Sequence, residues 1–130
     1  MEGPSPEVVA IVKRRARGKC EHCHLPAGVS ESPFQMDHVV ARKHGGGNEP
    51  GNLAYACFYC NSYKGPNLSG VDPLSGEVVR LFNPRVDRWN EQFEWRQAWL
   101  TGISPQGRAT VQTLNINNYE ARYGPGKSMA

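Results

Sequence analysis

The chain has 130 residues, a formal net charge of +3 and four cysteines, which suits one compact domain burying about two thirds of its unfolded surface. No apolar run reaches the roughly 20 residues of a membrane span, and Met1-Glu2-Gly3-Pro4 lacks the basic-then-apolar pattern of a secretion signal. A cytoplasmic protein without a membrane partner is expected, and a pI of about 8.8 permits a nucleic-acid partner without demanding one.

Ser5-Pro6-Glu7 reads as a helix start: a hydroxyl cap, proline in the first turn and an acid at the positive end of the dipole. Val8, Ile11, Val12 and Ala16 keep helical spacing up to Gly18, a natural stop. Lys13, Arg14, Arg15, Arg17 and Lys19 crowd its C-terminal half. They form either a solvated, dipole-matched face or a set of contacts to nucleic-acid phosphates.

After a loop at Leu25-Pro26-Ala27-Gly28, alternating Phe34 and Met36 with Val39-Val40 predict a strand through Asp37 and His38. Ala41 to Pro50 is a glycine-rich loop, and the turn at Gly51-Asn52 is expected to open a helical segment through Leu53, Ala54 and Tyr55. Beyond Lys64, Gly65-Pro66-Asn67 and Asp72 to Gly76 are turns, and Glu77 to Phe82 predicts a strand. Trp89, Phe93, Trp95 and Trp99 read as core rather than as platforms for bases. Ser104-Pro105 starts a helix that runs to about Asn117. A single domain over 1–122 is expected, with a motif core at 20–64, an extension at 65–122 and a disordered tail at 123–130.

Cys20/Cys23 and Cys57/Cys60 form two C-x-x-C pairs. In a reducing compartment they are read as metal ligands rather than disulfides, and four soft sulfurs on two knuckles suit one closed, structural zinc ion. His22 and His24 lie in and beside the first knuckle, but four cysteines already complete a tetrahedron. The interval between the pairs exceeds the roughly 15 to 20 residues of a simple zinc ribbon. It holds the acid, imidazole and amide groups.

The segments C-E-H-C from Cys20, M-D-H-V-V-A-R from Met36, G-G-G-N from Gly45, G-N-L-A from Gly51 and C-F-Y-C-N-S-Y-K from Cys57 together resemble the HNH endonuclease family in its four-cysteine form. A looser likeness to small bacterial proteins carrying this module continues through L-F-N-P-R at Leu81 and G-R-A-T-V at Gly107. The resemblance implies an α+β fold, a ββα-metal core stapled by zinc, with an N-terminal helix and a C-terminal strand and helix extension. It also implies DNA phosphodiester hydrolysis. His38 would be the general base, since a neutral imidazole with a pKa near ~6.5 accepts a proton from water. Asp37 and Asn61 would hold a divalent ion, and Asn52 would brace the loop carrying His38.

Many members of that family carry histidine where this chain has Asn61. A hard amide oxygen there favours Mg²⁺ or Mn²⁺. Arg42, Lys43 and Lys64 join Arg14, Arg15 and Arg17 as candidate phosphate contacts, and His44 beside the glycines faces either substrate or solvent. A monomer would nick; two cuts would need a homodimer. The alternative is a zinc-stapled nucleic-acid binding module without catalysis. A RING-type interaction domain fits less well, because it requires eight ligands at other spacings.

Overall fold

The computed structural model of the chain describes residues 3–118. The expected tail at 123–130 and the domain end at 122 lie outside them. The first helix, α1, spans Pro6–Ala16 with Ser5 Oγ accepting from the Val8 N–H at 3.3 Å, and Arg17 closes it in the left-handed conformation at φ 54°. Val12 is its buried anchor. Near its C-terminal end Arg15 donates to the Pro50 and Leu53 carbonyls at 3.0 and 2.7 Å.

The first cysteine pair follows in a tight turn, with the Cys20 N–H on Leu25 O and the His24 N–H on Cys20 O, both at 2.9 Å. Strand β1, Gln35–His38, pairs antiparallel with β2, Leu53–Ala56, setting Asp37 opposite Ala54 and His38 opposite Leu53. Helix α2, Phe58–Lys64, starts from Cys57, whose Sγ accepts from the Cys60 N–H at 3.4 Å.

Residues 53–55 are therefore a strand and not the expected helical segment. Leu53, Ala54 and Ala56 are all buried, and α1 packs directly on this strand. A strand covered on both sides loses the apolar alternation by which strands are recognised. β1 also stops at His38, before the expected Val39-Val40. The N–H and C=O of Val40 are both taken by the Asn52 side chain instead of a partner strand.

The C-terminal half adds two hairpins and a helix. β3, Ser69–Val71, pairs with β4, Val78–Arg80, and after the short helix α3, Trp89–Gln92, β5, Phe93–Arg96, pairs with β6, Trp99–Gly102. Helix α4, Pro105–Thr113, is capped by Ser104 Oγ and packs on both hairpins. It ends four residues before the expected Asn117. A Cβ at Gly107 would enter the Gln92 carbonyl, so glycine is what lets α4 lie this close.

One apolar cluster joins the halves: the four cysteines touch the same core as Leu25, Phe82, Phe93 and Leu100. Of the four aromatics expected in the core, Phe93 is fully buried. Trp89 is half-buried, and Trp95 and Trp99 are 46% and 55% exposed: Trp99 lies with Arg96 on the uncovered face of the hairpin, while Trp95 shares the face of Phe93 and Leu100 but sits at its margin against Trp89.

Asp72 in the β3–β4 turn is fully enclosed, caps the Leu74 N–H and Ser75 hydroxyl, and takes two bonds from Arg108 at 2.9 and 3.0 Å. That guanidinium holds the Asp72 carboxyl well below the usual carboxylate range. A carboxyl depressed by folding stabilises the fold above its ordinary pKa near ~4, and the contribution drains away as pH falls through the lower, folded value. Asp72→Asn should thus lower Tm at neutral pH by several degrees and flatten the decline of Tm below about pH 4. Parallel acid limbs for the two proteins, read by circular dichroism, would contradict this.

Candidate active site

The four cysteine sulfurs lie within 4.8 Å of one another and all four residues are buried. Cys23 Sγ and Cys57 Sγ are 3.9 Å apart, close to the roughly 3.8 Å edge of a tetrahedron with metal–sulfur bonds near 2.3 Å. Burial pushes the Cys20 and Cys60 thiols up, while hydrogen bonds from the neighbouring cysteines draw Cys57 far down. Four thiolates cannot share such a space without a cation, so the donor set fits a tetrahedral metal. His22 and His24 stay outside this cluster.

Consecutive positions on β1 send Asp37 inward and leave His38 half-exposed, as strand alternation requires. His38 Nε2 is 2.8 Å from Asn48 Oδ1, which also accepts from Arg42 at 3.1 Å. With the Asn48 amide in that orientation, Nε2 carries the proton and Nδ1 the lone pair.

Asn52, almost fully buried, accepts from the Val40 N–H at 2.9 Å and donates to the carbonyls of Val40 and Gly47 at 3.0 and 2.9 Å. Its amide thus pins the loop that leaves His38. A Cβ on Gly46 would collide with Val40 O and stand 2.8 Å from Asn52 Nδ2, which accounts for a glycine there. Three bonds at about 1 kcal/mol each make Asn52→Ala cost about 2–4 kcal/mol. Urea unfolding is the check, and a loss under 1 kcal/mol would remove the bracing.

Asn61, on α2, donates to Gln35 Oε1. It lines, with Asp37, His38 and Arg42, one open cavity of about 300 Å³. A short antiparallel hairpin and the following helix thereby bring an acid, an imidazole and an amide to a common space, beside a closed four-sulfur cluster. Residues 20–67 match the family model described as HNH endonuclease.

The match covers somewhat more than a third of the chain, and no curated protein and no solved structure matches it. Within the matched segment the Asp37 carboxylate is 2% exposed and doubly engaged. His22 Nε2 lies 3.0 Å from Oδ2, and the buried Lys64 ammonium lies 3.0 Å from Oδ1 and 3.1 Å from the His38 carbonyl. Burial works against a charged His22 ring, but the Asp37 carboxylate outweighs it and raises that pKa.

Lys64, expected as a phosphate contact, is buried and bonded to Asp37. Its partner is 27 residues away, so local sequence carried no sign of it. Arg15 is exposed and gives one guanidinium nitrogen, Nη2, to two carbonyls. Arg14, Arg17, Lys43 and His44 are exposed, and Arg42 sits half-buried on the cavity wall.

Sequence reasoning missed what the two residues between the first cysteines do. Glu21 extends the β2 edge, its N–H on Tyr55 O and its Oε2 on the Tyr55 N–H, both at 2.8 Å, and its other oxygen pairs with Arg85. The His22 carbonyl accepts from Trp89 Nε1 at 2.9 Å. His24 stacks on Trp89 with centroids 3.8 Å apart, and burial, aided by the charge of Lys19, lowers its pKa to about 4. Only their place inside a knuckle marked them in the sequence.

Proposed function

We propose that the chain is a metal-dependent endonuclease that hydrolyses DNA phosphodiester bonds. The observation that carries this reading is the shared cavity of Asp37, His38 and Asn61 with the His38 Nδ1 lone pair uncommitted to Asn48. Cys20, Cys23, Cys57 and Cys60 hold a structural Zn²⁺; their spacing and burial support it.

Asp37 and Asn61 supply hard oxygens for Mg²⁺ or Mn²⁺, which when bound polarises the scissile phosphate and relieves the leaving oxygen. His38 takes the proton of the attacking water, with its ring fixed by Asn48 and its backbone by the Asn52-pinned loop. Arg42, on the cavity wall, would meet a phosphate oxygen, and the exposed Lys43, Arg14 and Arg17 would add charge along the DNA backbone. Among the described residues no helix is long and apolar enough to cross a membrane.

The second reading, a zinc-stapled binding module without catalysis, is favoured by one observation. Both Asp37 oxygens already carry a donor. Supercoiled plasmid incubated with the protein and Mg²⁺ or Mn²⁺ separates the two. Nicked or linear product that EDTA abolishes supports the nuclease. Intact plasmid bound with a steep salt dependence supports the module.

A further inference from the structure

Lys64 is a buried lysine whose ammonium is shared between the Asp37 carboxylate and the His38 carbonyl. A divalent ion on Asp37 would approach an oxygen to about 2.1 Å, while the ammonium stands 3.0 Å from Oδ1. Like charges so close in a partly desolvated space repel strongly. Asp37 therefore has one cationic place at Oδ1 and two claimants.

The surroundings allow an exchange. His22 holds Oδ2 from the first knuckle, so the carboxylate keeps its orientation when Oδ1 changes partner. Lys64 also borders a second cavity of about 250 Å³, lined by Asn67, Asn83 and Arg80 among apolar side chains, so a displaced ammonium has room there and meets two amides and one like charge. A four-carbon stem with free rotors makes such a swing feasible.

We propose that Lys64 is the resident counter-cation of Asp37, competes with the divalent ion for it, and sets the metal concentration at which the site becomes loaded. Competition presupposes the reading of Asp37 as the ion's seat. In the metal-free protein the ammonium neutralises a buried carboxylate that would otherwise destabilise the fold. On loading, the ammonium leaves Oδ1 and takes its hold on the His38 carbonyl with it, so the base is freed to adjust only when the ion is present.

The test uses the zinc-loaded full chain with Mn²⁺ uptake followed by electron paramagnetic resonance, for wild type, Lys64→Met and Lys64→Arg. Methionine keeps the stem volume and removes the charge. It should bind Mn²⁺ about tenfold tighter or better, and gain more Tm on adding Mn²⁺ than wild type does. Arginine should stay near wild type. A folded, zinc-replete Lys64→Met that binds Mn²⁺ no tighter overturns the competition while leaving the nuclease reading intact. Wild type and variant that both take up no Mn²⁺ overturn both.

Wild type alone gives a second measurement if the methionine variant does not fold. Selectively ¹⁵N-labelled lysine should show one slowly exchanging ammonium signal without Mg²⁺, lost at saturating Mg²⁺. Lys13, Lys19 and Lys43 are exposed and exchange fast. A signal that persists through saturation overturns the proposal.

Discussion

Replacing Cys57 with serine should yield a chain that neither retains zinc nor folds. Cys57 is fully buried, caps α2 through its sulfur, and belongs with the other three cysteines to the apolar cluster that includes Phe82, Phe93 and Leu100. Serine would remove one of four metal ligands and bury a hydroxyl in their place. Zinc binding by four such ligands is worth about 10–16 kcal/mol in small metal-folded peptides, as much as or more than the about 5–15 kcal/mol that holds a typical domain folded. Zinc content by mass spectrometry and melting by circular dichroism provide the check. Undiminished zinc with an unchanged Tm would show that the cluster is not the staple of this fold.

His38→Ala should do the opposite: leave the fold in place and remove about 10²- to 10⁴-fold of the cleavage rate, the usual worth of a positioned general base. His38 is half-exposed, and its side-chain partner Asn48 keeps Arg42 as a second donor. The structural loss is therefore small. The assay is the conversion of supercoiled plasmid to nicked circles under Mg²⁺. A variant that nicks at the wild-type rate would exclude His38 as the base.

These two residues were legible because their chemistry is local. A C-x-x-C turn announces itself by spacing, as do the Ser5 and Ser104 caps with proline behind them. Asp37 and His38 sit on a strand short enough to be called by Phe34 and Met36. The β2 strand was not legible, since Leu53, Ala54 and Ala56 are covered on both sides and a run of small apolar residues reads equally as helix.

Partnerships across the chain were invisible for a different reason. Lys64 finds Asp37, Arg15 finds Leu53 and His22 finds Asp37 only after the hairpin has formed. A charge that folds inward looks in sequence like any exposed charge, so Lys64 reads as a phosphate contact. Trp99 shows the converse, a large apolar ring left outside because it lies on the uncovered face of β5–β6.

The first knuckle carries implications for the order of assembly. Each two-stranded hairpin closes a short stretch of chain, a microsecond event for an isolated hairpin. Glu21 and His22, by contrast, reach partners 15 to 67 residues away: Asp37, Tyr55, Arg85 and Trp89. The entropy of closing those long loops must be spent before any of the contacts is gained. A metal that joins Cys20 and Cys23 to Cys57 and Cys60 spends most of it in one step. With zinc in that place, the hairpins would be free to flicker early while their docking waits on the ion, and folding in the cell would become a matter of zinc supply as well as of sequence.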